Sequence, residues 1–465
     1  MNKTIFCIVF IATLLYSCSS DEPRSPEERP IPSDNIYLEF NKWVYSQMNR
    51  QYLWREDLPD SLSCNYDLGP RNFFYSLLSD KDRFSYFTSN SNYSGGSAYY
   101  GFAYQSVKDC RNNQALEVLY VTSPKARQAG LHRGDFVRIK SVDSQNITLS
   151  RASLQDNVLA FTGDDLEFSL NDPSSQESTV LLDTIYTIED HRIGYLCYLE
   201  FDEIDDLYEP LQRFTDSQIT DLILDLRYNP GGYVRTSQYL SNCIVPASGY
   251  GNLYQQCSYN DVLSREYLRT TGSERTYSYF DFPHDPGEVT LSVGVIPLSL
   301  KRLYVITSTH TASASEATII CLRPYMEVTL IGETTVGKGV GSWTISESKY
   351  RYALHPITMR YYNAEGLTTP DEGLEPDYYV PDAYKTGRKD IGDTSETLLA
   401  AALAVVLNRT VPQPLGAPRL ANAITPIGEP SFVTDFRNQQ FNISNWSKND
   451  GEVIEFAPQP HLYCK

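Results

Sequence analysis

Hydrophobic positions follow three successive rhythms along the chain. Between residues 34 and 90 they recur at helical spacing. Ile36, Phe40, Val44 and Met48 follow Asp34, a candidate N-cap, and residues 72–78 read as a second helix. Trp43, Tyr52 and Trp54 belong to the core of this small helical domain rather than to a ligand platform. Residues 91–96 are a linker. Residues 97–186 carry the rhythm of short strands: one opens at Tyr100-Gly101-Phe102 and another covers 116–121. A short helix then ends at Gly130, Gly134-Asp135 turns, and 137–139 is a strand. Residues 154–161 are expected to form a second helix and 166–170 a closing strand.

From Arg192 onward strands and helices alternate, which is the pattern of an α/β layer structure. Residues 193–196 form a strand and 207–214 a helix. The strand at 219–226 has a nearly unbroken apolar run, as expected for burial on both faces. It ends in Arg227-Tyr228-Asn229-Pro230-Gly231-Gly232, and a helix at 236–243 follows. Residues 246–290, rich in Tyr, Gly and Ser, are an irregular insertion suited to a lid. Strands resume at 291–298, 303–306 and 328–331, with a helix at 317–322 between the last two. Strands at 342–345 and 352–359 and a helix at 394–407 complete a core spanning 187–408. Residues 409–465 are proline-rich, weakly patterned and without an assigned role. The expected fold is multidomain α/β.

The first 18 residues read as an export signal, with Lys3 ahead of an apolar stretch at 5–15. That stretch is shorter than the roughly 20 apolar residues of a membrane helix. Leu15-Tyr16-Ser17-Cys18 resembles a bacterial lipobox, which implies lipidation at Cys18 and an anchor in the envelope of a Gram-negative bacterium. Residues 19–33 are a polar, proline-rich tether. The net charge of −19 argues against nucleic acid and against anionic lipid surfaces as partners. Nine cysteines occur at irregular spacings without a C-x-x-C pair, so a zinc site has little support. Cys197 and Cys321 fall in apolar runs, and Cys243 with Cys257 is the candidate disulfide.

Candidate chemistry gathers between Thr307 and Lys338. Ser313 lies where a strand gives way to a helix, between Ala312 and Ala314; Lys338 lies between Gly337 and Gly339 just after another strand. A serine needs a base, and a lysine serves if burial lowers its pKa from about 10.4. The N–H of Ala314, with one from Gly231 or Gly232, would stabilise an oxyanion. Other roles compete. Gly332 to Lys338 fits the start of a phosphate-binding loop, but Gly339 stands where Ser or Thr is required, and a strand follows. His310 could act as a base, although three residues is a strained reach to Ser313. Glu316 could be an acid or metal ligand, or simply a favourable charge at a helix start.

Three motifs in order resemble the carboxy-terminal processing peptidases, or tail-specific proteases. They are Asp225-Leu226-Arg227-Tyr228-Asn229-Pro230-Gly231-Gly232, Thr311-Ala312-Ser313-Ala314-Ser315-Glu316 and Gly337-Lys338-Gly339. Ahead of them the stretch around Gly130-Leu131-His132-Arg133-Gly134-Asp135 resembles a PDZ domain, a module that adds a peptide strand to a sheet edge. The resemblance implies a Ser313 nucleophile, a Lys338 base, and an oxyanion hole from Gly231 or Gly232 with Ala314. It implies peptide cleavage near substrate C-termini without cofactor, metal or nucleotide. Tyr100, Gly101, Phe102 and Ala103 would seat the substrate carboxylate. Many members carry a glutamine four residues after the lysine, where this chain has Ser342. A catalytically idle peptide-binding scaffold is the alternative. A glycan-processing core would need paired carboxylates, which no motif singles out.

Overall fold

The computed structural model describes residues 37–89, 100–170, 178–202, 204–283, 294–347, 349–350, 352–382, 388–412, 424–428 and 430–432. The export signal, Cys18, the tether, the Asp34 cap, Ile36, the 91–96 linker, residues 291–293 and residues 433–465 lie outside them.

Helix α1 (Leu38–Gln51) buries Phe40, Val44 and Met48 along the expected stripe. Helix α2 (Pro70–Ser76), with proline at its start, buries Phe73 and Phe74. Strand β1 (Tyr86–Ser89) follows. These elements do not close a core of their own. Their apolar side chains share one cluster with Val340, Ile345, Leu354 and Ile357 from much later in the chain.

A strand-rich region contains β2 (Phe102–Asp109), β3 (Gln114–Val121), α3 (Pro124–Gln128), β4 (Phe136–Val142), β5 (Asn146–Gln155) and β6 (Val158–Ser169). Its strands pair in sequence order, all antiparallel. The helix expected at 154–161 is absent. Leu154, Val158 and Phe161 have helix-like spacing, but Asp156 and Asn157 take φ of 49° and 65° and turn β5 back into β6 as a tight hairpin.

The core begins with β7 (Val180–Ile188), β8 (His191–Tyr198), α4 (Asp205–Asp216), β9 (Asp221–Asp225) and α5 (Val234–Ile244). The expected lid is instead folded structure: β10 (Leu253–Ser258), α6 (Asp261–Thr271) and β11 (Thr276–Tyr279). Next come β12 (Arg302–Thr307), α7 (Ala314–Leu322), β13 (Glu327–Gly332), β14 (Val340–Ser342), β15 (Ile345–Ser346), β16 (Tyr352–His355), β17 (Ile357–Tyr362), β18 (Tyr378–Tyr379), α8 (Thr397–Val406) and β19 (Ile424–Pro426). Strand β10 pairs with β17, so the inserted segment is built into a sheet and its helix packs on α1. The single strand expected at 352–359 is two, divided at Pro356, which lacks the N–H a ladder needs. Residues 294–298 are not a strand, although Ile296 and Leu298 are buried.

The main sheet has the order β18-β13-β12-β9-β8-β7. All neighbours are parallel except β7 with β8. Helices α4, α5 and α7 cover one face and α8 the other. Asp225 pairs with Ile306 and Thr307 with Gly332, so β9, β12 and β13 finish level. Their following loops therefore meet at one carboxyl edge, where ligand sites of open α/β sheets lie. Cys243, on α5, and Cys257, on β10, are both buried thiols rather than a disulfide. Burial pushes them up to about 12 and about 11. Cys197 and Cys321 are core thiols as expected. Among the described residues no helix is long and apolar enough to cross a membrane.

Candidate functional site

Three loops at the carboxyl edge build the site. The first follows β9. Asn229 organises it: its amide donates to Tyr198 O at 3.0 Å, its Oδ1 accepts the Gly231 N–H at 2.9 Å, and its carbonyl accepts Ala312 N–H at 3.2 Å. Gly231 (φ 109°) presses on the second loop, because a Cβ there would stand 2.7 Å from Ser313 Cβ and 3.0 Å from Ala314 N. The Gly231 N–H is thus engaged within the turn itself. Gly232 (φ 138°) runs beside Phe201, whose carbonyl oxygen would lie 2.2 Å from a Cβ.

The second loop follows β12 and carries Ser313. This serine is the N-cap of α7, with φ 57° and ψ −113°. A non-glycine residue held there costs about 1–3 kcal/mol, which surrounding contacts must offset. One such contact comes from Glu316, whose Oε2 accepts the Ser313 N–H at 2.8 Å. Ser313 is half-buried, and Ala314 is fully covered at the head of α7.

The third loop follows β13 and carries Lys338. Glu316 reaches it too, accepting Gly337 N–H and Lys338 N–H, both at 2.8 Å, and the Thr335 hydroxyl. Burial raises the Glu316 carboxyl above its ordinary value, and these hydrogen bonds oppose that without cancelling it. From β17, the Tyr361 hydroxyl lies 2.7 Å from Lys338 O and 3.2 Å from Ser313 O. Arg83, from the N-terminal region, donates to Gly337 O at 3.1 Å and Asp371 O at 2.9 Å. Lys338 Nζ lies 5.6 Å from the Phe84 ring centroid. Ser342 sits on β14 opposite Ile357. Glu316, Tyr361 and Arg83 therefore hold the backbone of the lysine loop. No helix follows the loop, as a phosphate-binding loop requires.

Residues 192–380 match peptidase family S41, and residues 39–86 match the peptidase S41 N-terminal domain. The chain belongs to peptidase family S41. It is 23% identical over 279 residues to a carboxy-terminal processing protease of Bacillus subtilis, covering 57% of this chain and 53% of that one. It is 26% identical over 306 residues to one of Bartonella bacilliformis, covering 61% and 63%. The chain thus spans between half and two thirds of the length of these relatives. A solved structure described as an S41 protease, from Bacteroides fragilis, superposes with a TM-score of 0.65 at 26% identity, covering 79% of this chain and 97% of that one.

In this S41 chain the structure brings Ser313, Ala314, Lys338, Gly231 and Gly232 to one edge. His310 lies outside that group. Its ring packs edge-on against Phe432 at 5.3 Å. Burial, aided by the charge of Arg388, lowers its imidazole to about 4. Tyr100, Gly101, Phe102 and Ala103 are at the start of β2, and Gly101 O accepts the N–H groups of Thr122 and Ser123 at 2.9 Å. Sequence reasoning missed the bridging role of Glu316, although Ser313-x-x-Glu316 is a capping-box signature. It also missed Asn229 as an organiser, and Arg83, Phe84 and Tyr361, which no local signal marks.

A buried ionic cluster backs the first loop. Arg227 donates to both Asp225 oxygens at 3.0 Å and to Glu396 at 2.8 and 3.0 Å. Arg133, from the strand-rich region, donates to Tyr228 Oη at 3.0 Å and to Asp382 at 2.9 Å. Burial alone would raise Asp382, but Arg133, Arg388 and Arg227 outweigh it and hold the carboxyl well below its usual range.

Proposed function

We propose that this chain is a serine peptidase that cleaves polypeptides near their C-termini. Ser313 Oγ attacks the scissile carbonyl carbon and passes its proton to a neutral Lys338. The oxyanion faces the N–H groups of Ala314 and Gly232. Lys338 then protonates the leaving amine, and water releases the acyl group by the reverse sequence. The observation that carries this reading is the single carboxylate of Glu316, which accepts N–H groups from both Ser313 and Lys338. The strand-rich region acts as a PDZ-like module that takes a substrate C-terminus along β2 near Tyr100–Ala103. The hairpin at 154–161 leaves the β2 edge, rather than a groove walled by a second helix, as the seat. Lipidation at Cys18 anchors the protein to the cell envelope.

The test is digestion of an unfolded protein by the chain lacking its export signal, beside Ser313→Ala and Lys338→Ala. Fragments are followed by mass spectrometry. Cleavage lost in both variants, with their unfolding midpoints unchanged, is the expected result. Cleavage that survives Ser313→Ala overturns the nucleophile. Silence of the parent, even with C-terminal peptides added, favours the idle scaffold.

A further inference from the structure

The edge of β2 is already occupied by the chain itself. Strand β19 lies antiparallel along it, with Ile424 opposite Asp109, Thr425 opposite Lys108 and Pro426 opposite Val107. The segment therefore runs toward the beginning of β2 and the turn at Tyr100–Ala103. Beyond the ladder, Ile427 N–H donates to Ser106 O at 2.7 Å and Ser431 N–H to Tyr104 O at 2.8 Å. Ser431 Oγ accepts the Tyr104 N–H at 2.8 Å. The buried Gln105 amide donates to the carbonyls of Ile427 and Gly428 at 3.2 and 3.0 Å.

Two side chains anchor the segment, each 7% exposed. Ile424 packs with Val107, Ala115 and Leu159. Phe432 packs with Ala103, Tyr120 and Tyr228, and its ring centroid is 5.2 Å from Tyr228 and 5.3 Å from His310. Those last two residues sit in the loops that carry Gly231 and Ser313. As a sheet member the segment is poor. Its strand is three residues long, and Pro426 and Pro430 have no N–H to give. Side chains, Ser431 and Gln105, make contacts that a ladder would make with backbone. This is the construction of a bound peptide with two anchors, rather than of a permanent strand.

We infer that Ile424–Phe432 is a resident ligand of a peptide site formed by the β2 edge and the Tyr120–Tyr228–His310 slot. The site takes an extended peptide with an aromatic residue in place of Phe432, and the resident segment must leave before that peptide enters. The identity of the incoming peptide as substrate rests on the proposed peptidase role; the exchange itself does not.

The test uses the full chain carrying Ser313→Ala, so that the probe stays intact. The probe is a fluorescein-labelled nonapeptide with the sequence of residues 424–432, read by anisotropy. A tethered competitor acts at an effective concentration in the millimolar range. Loosening it with Ile427→Pro and Phe432→Ala together is expected to tighten probe binding at least about tenfold. A probe with alanine for its phenylalanine is expected to lose that binding. Equal affinity for both chains, or no saturable binding to either, overturns the inference. A second measurement needs no tail variant: excess probe should speed hydrogen exchange at the Ile427 and Ser431 amides, and unchanged exchange overturns the inference as well. Neither readout depends on cleavage. An inactive Ser313 would remove the peptidase reading and leave the exchange standing. Ser313-dependent cleavage with unaltered binding and exchange would do the reverse.

Discussion

Glu316 and Lys338 are joined through the backbone: Glu316 Oε2 accepts the Lys338 N–H at 2.8 Å, and the same oxygen accepts the Ser313 N–H at 2.8 Å. One side chain at the head of α7 therefore sets the spacing of the serine and lysine loops. Glu316→Gln keeps the shape but turns one accepting oxygen into a donor that faces two other donors. Each buried N–H left unpaired costs about 1–3 kcal/mol. The expected result is a lower urea midpoint and a kcat at least about tenfold down, with KM little changed because Glu316 positions the loops without touching substrate. Tyr361→Phe, which removes one hydroxyl shared by the same two loops, should move both quantities the same way by less.

Gly231→Ala places a methyl group 2.7 Å from Ser313 Cβ and 2.9 Å from Ala312 O, at a φ of 109° that alanine avoids. The turn must shift, carrying the Ser313 loop with it. The shift carries the neighbouring Gly232 N–H with it, and losing one oxyanion donor costs about 10²–10³ in kcat, so a fall of about a hundredfold is expected. A kcat/KM within threefold of the parent would show that the turn tolerates the methyl and that the loops are not in register contact.

His310 sets part of the acid response. Its imidazole protonates near 6.5 when unfolded and near 4 when folded. The folded state thus binds fewer protons between these values. Its contribution to stability is complete above pH 6.5 and is lost as pH falls toward 4, by no more than about 1.4 kcal/mol per pH unit. His310→Asn should flatten that slope in urea titrations at several pH values. It should leave the pH profile of cleavage between 5 and 8 unchanged, whereas a histidine base would lose it.

Arg227 is fully buried between Asp225 and Glu396. Arg227→Met leaves two carboxylates without their partner, and breaking such a pair costs about 3–5 kcal/mol. Denaturant unfolding should register that loss, and adding Glu396→Gln should recover part of it. Equal midpoints in parent and Arg227→Met would mean that the cluster is not held by charge.

What could be read in the sequence was local. Unbroken apolar runs gave β9, β12 and β13, and small residues at their ends marked the three loops. The same local logic failed at Leu154, Val158 and Phe161, whose spacing serves a helix or a hairpin equally until Asp156-Asn157 turns the chain. It also took Cys243 and Cys257 as a pair, although one lies on a helix and the other on a strand of a different sheet. Contacts between distant segments left no local trace. Arg83 reaches Gly337, Tyr361 reaches Ser313, and Phe432 reaches Tyr228 through the tertiary fold alone.

The shared core of the first helices has a bearing on the order in which the protein is made. Leu53 N–H bonds Ile357 O at 2.8 Å, and β1 pairs with β16. Residues 37–89 thus emerge from the ribosome long before the partners that cover Phe73 and Phe87. Until residue 357 is synthesised those aromatic side chains have only near neighbours such as Phe40, Tyr66 and Phe74, without the later strands that complete the cluster. Completion of the N-terminal region must therefore wait for the last third of the chain, with loop closure from Leu53 to Ile357 over about two thirds of its length. A nascent chain in that state leaves part of that apolar surface exposed to water.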